Sequence, residues 1–287
     1  LSSPGFPFQQ VDVFSAVPYQ GNPVAVVLDA DGLSTERMQA IANWTNLSET
    51  TFVCAPGDAQ ADYRLRIFTP RSELAFAGHP TIGSAHAVLR HGLKPKAAGV
   101  VVQQCGRGLV TLRMDGEHLF LALPAPALRE VSRSMLDECA AALGVTPKSV
   151  RASAAIDVGI TWITLHLADA AAVRGLRPDV ARIHALTPAG VAGVTVFGFG
   201  ATSAGSQMEV RSFAPAEGIA EDPVCGSGNG CVAALVRSER LLAGTSYVAS
   251  QGSCVGRDGR VEVRFDGEGT IWLGGHSVTC IEGTVRA

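Results

Sequence analysis

Short runs in which apolar and polar residues alternate dominate the chain. "VDVF", "PVAVVL", "TTFV", "YRLRIF", "GLVTLRM", "HLFLAL", "WITLHL", "VTVFGF", "MEVRSF", "VEVRF" and "TIWLGG" are rich in Val, Ile, Leu, Phe or Thr. Each is bounded by Gly, Pro, Asp or Asn, a pattern that predicts strands. Helical spacing is rarer. "STERMQAIANW" sets Met38, Ile41 and Ala42 on one face behind Ser34 as a predicted N-cap. "SMLDECAAALG" does the same with Leu136, Cys139, Ala140 and Leu143, capped by Ser134 and stopped by Gly144. "PTIGSAHAVL" and "GSGNGCVAALV" are the other two predicted helices.

These elements recur in order. In the first half a helix near Ser34 precedes the strand at 50–53, then "YRLRIFTP", then a helix opening at Pro80. In the second half a helix near Ser134 precedes "WITLHL", then "MEVRSFAP", then a helix opening after Pro223. The best local match sets "PTIGSA" at 80–85 against "PVCGSG" at 223–228, half the chain length apart. A repeated order of elements predicts duplication. The expected fold is α+β, with two pseudo-symmetric domains, 1–120 and 121–287, each a mostly antiparallel sheet around a central helix. The last strand is free to return to the first domain.

Composition narrows the function. With 287 residues, 47% of them hydrophobic, the chain can bury two cores of ordinary domain size. A net charge of −3 and no run of Lys or Arg argue against nucleic acid or an anionic membrane as partner. Runs such as "PVAVVL" and "GVTVFGFG" are too short to span a bilayer, and "LSSPGFPFQQ" lacks the basic and apolar regions of a signal peptide. Seven cysteines, an odd number without a C-x-x-C pair, argue against a disulfide framework and against a zinc site. A cytoplasmic protein with reduced thiols is the expectation. Sheet edges permit a homodimer without requiring one.

The densest chemistry lies in "EDPVCGSGNG", 221–230. Glycines so closely spaced mean a sharp turn or a close approach of backbone to something else. In each half a glycine-containing turn leads into an apolar helix, with Ile82, Ala85, Val88 and Leu89 on one face in the first, and Cys231, Ala234 and Leu235 in the second. Helix starts carry unpaired N–H groups and partial positive charge, so two of them across an inter-domain cleft would grip a small carboxylate. They would also stabilise an enolate formed from it. Glycines needed for steric reasons alone remain the alternative. Neither G-x-G-x-x-G after a strand nor G-x-x-x-x-G-K-[ST] occurs, which speaks against a nucleotide.

"GNPVAVVL" (21–28), "NLSETTFV" (46–53), "IFTPRSELAFAGHPTIGSAHAVL" (67–89), "EDPVCGSGNG" and "YVASQG" (247–252) together resemble the PhzF-like phenazine-biosynthesis isomerases, within the diaminopimelate epimerase superfamily. The resemblance implies a pseudo-symmetric two-domain fold of that type, no cofactor, and proton transfer at carbon in the cleft. It makes Glu49 in "SETTF" the acid/base carboxylate, a role that partial burial would suit by raising its pKa. It makes His79 in "AGHPTIG" an active-site histidine; Pro80, suited to the first helical position, would set His79 at the cap. Asp222 and Ser227 become substrate contacts, for an amino group and a carboxylate respectively, although both have ordinary capping roles open to them. Gly78, Gly226, Gly228 and Cys225 would form the helix starts that hold the carboxylate.

The remaining histidines show no metal-ligand spacing, and His86 reads as structural. Cys54, Cys105, Cys139, Cys254 and Cys280 read as core fillers. Superfamily racemases oppose two cysteines, and the pattern puts Ala77 where the first would stand, with Cys225 as the second. One thiol without its partner favours the isomerase branch. At a helix start Cys225 is nonetheless expected to favour its thiolate. The reading is a cofactor-independent isomerase of a small carboxylic acid, with no metal, in which Glu49 moves a proton between carbons. Its rivals are a racemase, epimerase or dehydratase using Cys225, and a relative that binds small molecules without turnover.

Overall fold

In the computed structural model, which describes residues 5–200 and 205–287, the chain divides into two units, 1–121 with 274–287 and 122–273. The first four residues of "LSSPGFPFQQ" lie outside the described residues.

The first unit runs β1 (Gly5–Val13), β2 (Asn22–Val27), α1 (Thr35–Thr45), β3 (Thr50–Cys54), β4 (Tyr63–Phe68), β5 (Glu73–Leu74), α2 (Gly78–Arg90), β6 (Val100–Cys105), β7 (Gly108–Asp115) and β8 (His118–Ala122). β1 and β2 pair antiparallel, β2 and β3 parallel, β3 and β4 antiparallel, β4 and β6 parallel, β6 and β7 antiparallel. The short β5 lies antiparallel along β4.

The second unit repeats that series. Its elements are β9 (Ala127–Arg129), α3 (Arg133–Ala142), β10 (Ala152–Asp157), β11 (Thr161–His166), α4 (Ala170–Arg174), α5 (Val180–Leu186), β12 (Val191–Phe199), β13 (Met208–Ala214), β14 (Ile219–Asp222), α6 (Gly226–Ser238), β15 (Ser246–Gln251), β16 (Gly259–Phe265) and β17 (Ile271–Gly275). β10–β11, β12–β13 and β15–β16 are antiparallel, β11–β12 and β13–β15 parallel, and β14 lies antiparallel along β13. The final strand, β18 (Ser277–Arg286), pairs antiparallel with β1. β9 pairs in the same way with β10, so each first strand gains an outer neighbour. The fold is α+β, of the diaminopimelate epimerase-like type, with mostly antiparallel sheets.

Two expectations about the repeat need correction. The counterpart of α1, which crosses between the parallel pair β2 and β3, is the α4–α5 segment between β11 and β12, not the helix near Ser134. That helix, α3, precedes β10 and has no equivalent among the described residues of the first unit. Its cap is Ser132, whose Oγ accepts from Met135 N at 3.2 Å, while Ser134 lies inside the first turn. The register of the repeat also shifts. α2 begins after Ala77 and α6 after Cys225, so these two share the cap position. Pro80 falls in the first turn of one helix, whereas Pro223 precedes the cap of the other.

Alternation divides each sheet. Ile163 and Leu165 of β11 join Val194, Val196 and Phe213 in a core with Cys139 of α3, Val173 of α4 and Ile183 of α5. Trp162, Thr164 and His166 therefore face the opposite side, that of α6. In the first unit Phe52 and Phe68 meet edge to face, 5.4 Å apart, in a core with Met38, Ile41 and Ala42 of α1. α2 packs on the other face so closely that a Cβ at Gly83 would lie 2.5 Å from Val24 Cγ1 and 2.8 Å from Val13 Cγ2. Both valines are buried and stiff about χ1. Gly83→Ala should therefore lose about 1–3 kcal/mol of stability to overpacking, outweighing the usual helix gain. A chemical denaturation curve at least as stable as wild type would show that the helix can move outward at no cost.

Candidate functional site

In the first unit, Ser34 Oγ starts α1 by accepting from Arg37 N at 3.3 Å, and Asn46 ends it in the left-handed conformation at φ 54°. The chain then turns through 46–49 into the fully buried β3. Glu49 is thus the last residue before an apolar strand, and its side chain is only 15% exposed. Burial raises its pKa from the ordinary 4.5 to about 7, against a smaller opposing effect of a hydrogen bond from Ser48. His79 Nε2 lies 3.3 Å from Glu49 Oε2.

His79 does not sit at the helix cap. Ala77 is the cap, Gly78 and His79 open the first turn, and Pro80 is third, where its missing N–H is still among the groups a helix leaves unpaired. The shift points a buried His79 at Glu49. Gly78 differs from Gly83 in kind. A Cβ at Gly78 would meet nothing within 4 Å, so packing does not demand glycine there.

In the second unit, Asp222, Cys225, Gly226, Ser227 and Gly228 come together at the start of α6. Asp222 Oδ1 accepts from Val224 N at 3.0 Å, and Cys225 Sγ caps the helix by accepting from Gly228 N at 3.3 Å. Ser227 Oγ accepts from Trp162 Nε1 at 3.0 Å. Gly228 has a steric cause, since its Cβ would lie 2.6 Å from Ser212 Oγ.

Three residues that hold this turn carry no signal of their own in the linear sequence. Gln251, the glutamine of "YVASQG", accepts through Oε1 from Cys225 N at 3.1 Å and from Asn229 Nδ2 at 2.7 Å. Its Nε2 donates to Asp222 O at 2.9 Å, so one buried amide spans both ends of the turn. Arg211 grips Glu221 with two hydrogen bonds, of 2.9 and 2.8 Å, and so fixes the strand that delivers Asp222. Buried Glu209 is held by Ser250 and Ser253, both at 2.9 Å, and serves the framework.

The expectation for the Cys225 thiol is reversed. Cys225 is only 4% exposed, and burial, followed by the adjacent Asp222 charge, pushes its pKa well up despite opposing hydrogen bonds from Ser227 and Gly228. The helix start does not outweigh desolvation. Cys139 is likewise raised by burial, to about 12. Cys254, expected in the core, is exposed, and Cys105 and Cys280 are half-buried. His86 Nε2 lies 3.0 Å from Thr279 Oγ1. Among the described residues no three His, Cys, Asp or Glu side chains converge as a metal-binding set, and no helix is long and apolar enough to cross a membrane.

Two measurements follow from these burials. Glu49 binds its proton more tightly in the fold, so its contribution to stability is full below pH 4.5 and is lost as pH rises to about 7. Above that, the ionised group costs at most about 3 kcal/mol. Glu49→Gln should therefore melt higher than wild type at pH 8, with the difference closing by pH 4; an equal difference at both would show that the carboxyl titrates normally. Iodoacetamide at pH 8 should label Cys254 first and leave Cys225 and Cys139 intact until unfolding, whereas Cys225 labelled as fast as Cys254 would contradict its burial.

Comparison with known proteins places these features in a family context. The model of the PhzC-PhzF family, described as phenazine biosynthesis-like protein, matches residues 11–283. The chain is 41% identical to antisense-enhancing sequence 1 of Schizosaccharomyces pombe, over 96% of this chain and 97% of that one. It is 36% identical to trans-2,3-dihydro-3-hydroxyanthranilate isomerase of Pseudomonas aeruginosa, over 90% of each. A crystal structure of a PhzF-family phenazine biosynthesis protein from Bacillus anthracis superposes with a TM-score of 0.87 at 25% identity, covering 99% of this chain and 100% of that one.

Proposed function

The chain belongs to the PhzC-PhzF family, whose relatives include named isomerases, and on that premise we propose that it moves a proton between carbons of a small unsaturated or cyclic amino or hydroxy acid. The observation that carries this reading is the desolvated Glu49 carboxyl, raised to about 7 beside His79. A group with that pKa is a competent base when ionised and a competent acid once protonated, both near neutral pH.

Glu49 as carboxylate takes a proton from a substrate C–H, and the electron pair passes into the conjugated system. The resulting carboxylic acid, whose proton exchanges with solvent, delivers a proton to another carbon, and the double bond shifts. His79, 3.3 Å away, keeps the carboxyl oriented through both steps. Ser227 and the backbone at Gly226 and Gly228 hold the substrate carboxylate, Asp222 takes an amino group, and the open space at Gly78 lets substrate approach the backbone. Because one carboxyl is both base and acid, the step needs neither metal nor organic cofactor. The cysteines, none of them paired, suit a cytoplasmic setting.

The test is deuterium incorporation at substrate carbon in heavy water, starting from trans-2,3-dihydro-3-hydroxyanthranilate, the compound named for the relatives, and a panel of small cyclic carboxylates. Wild type should exchange and isomerise, with an ascending pH limb near 7 and no loss after dialysis against EDTA. Glu49→Gln should lose about 100-fold or more in rate while remaining folded. Undiminished turnover by that variant would sink the mechanism, and failure of wild type to exchange on any member of the panel would point to a binding protein.

A further inference from the structure

Trp162 lies on β11, on the face turned towards α6, and is 3% exposed. Its indole Nε1 donates to Ser227 Oγ at 3.0 Å across 65 residues of sequence. The helix is seated on the same patch of sheet one turn further on, where Cys231 Sγ donates to Ile156 O at 3.3 Å. Ser227 and Cys231, four apart, share a helix face. Ile156 and Trp162 are cross-strand partners in β10 and β11. The indole N–H and the serine oxygen therefore meet in a place fixed by the sheet register and not by a flexible loop.

The chemistry of the two groups is unequal. An indole N–H can only donate, whereas a serine hydroxyl has one hydrogen and two acceptor lone pairs. Once Trp162 occupies a lone pair, the serine hydrogen must point elsewhere. The neighbouring polar atom is Cys225 Sγ at 3.6 Å, and sulfur is a weak acceptor. A carboxylate oxygen is a far stronger one.

We propose that Trp162 is a positioning residue that commits the Ser227 hydroxyl to donate, so that this point of the site selects a hydrogen-bond acceptor, the substrate's carboxylate, over a donor such as an ammonium group. The proposal rests on the reading above in which Ser227 contacts the carboxylate. It assigns Trp162 an effect on binding and none on proton transfer itself, which remains with Glu49.

The experiment measures binding of 2-aminobenzoate to the full chain by calorimetry, and KM and kcat on whichever carboxylate is turned over. Trp162→Phe keeps an aromatic ring and removes the N–H. It should raise Kd and KM about tenfold, the worth of one hydrogen bond, with kcat within about twofold; the smaller ring leaves a cavity and lowers the melting temperature, so binding is measured well below it. Ser227→Ala should weaken binding by at least as much, and adding Trp162→Phe to it should cost nothing further, a non-additivity that a merely structural tryptophan would not show. If the phenylalanine variant does not fold, benzothienylalanine at 162, with sulfur in place of the N–H, repeats the comparison at nearly constant shape. Weak binding in Ser227→Ala with normal binding in Trp162→Phe overturns the role of Trp162 and leaves the carboxylate contact standing. Normal binding in Ser227→Ala, or none by wild type, overturns both. The role of Glu49 is read separately, from deuterium exchange by Glu49→Gln.

Discussion

Two adjacent strands that run parallel cannot be joined by a tight hairpin, and among the described residues each half of this chain shows two such pairs. The chain must cross over the sheet between them, and in the pairs β4–β6 and β13–β15 the crossings carry α2 and α6. Each crossing begins where a strand has just ended, so each helix start, with its unpaired N–H groups, is placed at that end of its own sheet. Residues that would be scattered by hairpin connections are collected instead: Gly78 and His79 in one unit, Cys225 to Gly228 in the other. The shorter crossing between β2 and β3 delivers Glu49 to the same first unit, ahead of a strand whose residues are all buried. Burial at that point is what raises its carboxyl pKa.

Holding a turn in place at such an end requires polar groups that are themselves buried and satisfied. Gln251 does this with three hydrogen bonds, taking up the Cys225 N–H and the Asp222 carbonyl at once. A buried amide that loses any of those partners would cost the desolvation of the orphaned group, typically about 1–3 kcal/mol. Arg211 and Glu221 play the same part for β14, with the guanidinium also capping the Val173 and Leu176 carbonyls. These groups hold the turn before α6 in place.

The alternation of Val, Ile and Phe with polar residues makes the strands legible, and the two similar helix starts, "PTIGSA" and "PVCGSG", make a duplication legible although the order of elements pairs the wrong helices. What escaped was set by long-range packing. α4 and α5 are short, and their only local marks are the caps Asp169 and Asp179, which accept from Ala172 N at 2.8 Å and Arg182 N at 3.0 Å. Ser132 and Ser134 are equivalent as caps in sequence, and only the entry of the chain into α3 distinguishes them. Trp162 reads as one more apolar residue of a strand, because its partner lies on a helix far along the chain. The Cys225 thiol departs from its expectation because a helix start is visible in sequence and burial is not. Glu49 and His79 had no local spacing to unite them; the resemblance to a family singled them out, and the fold brings them to 3.3 Å.

The two halves share a plan but differ in the ionisable groups that they place on it. At the shared cap position one helix has Ala77, with no ionisable group, and the other has Cys225, whose ionisation is opposed by burial and by Asp222. A symmetric pair of thiol bases needs two groups that ionise readily on opposite sides of a carbon, and neither cap supplies one. Glu49 is also buried, but a carboxyl starts from 4.5 and burial brings it to about 7, whereas a thiol starts near 9 and burial carries it away from neutrality. The same physical effect therefore tunes one group towards proton transfer at neutral pH and the other away from it. On the proposed reading that difference in starting point turns a duplicated fold into a one-base enzyme, in which a single carboxyl both removes a proton and delivers one.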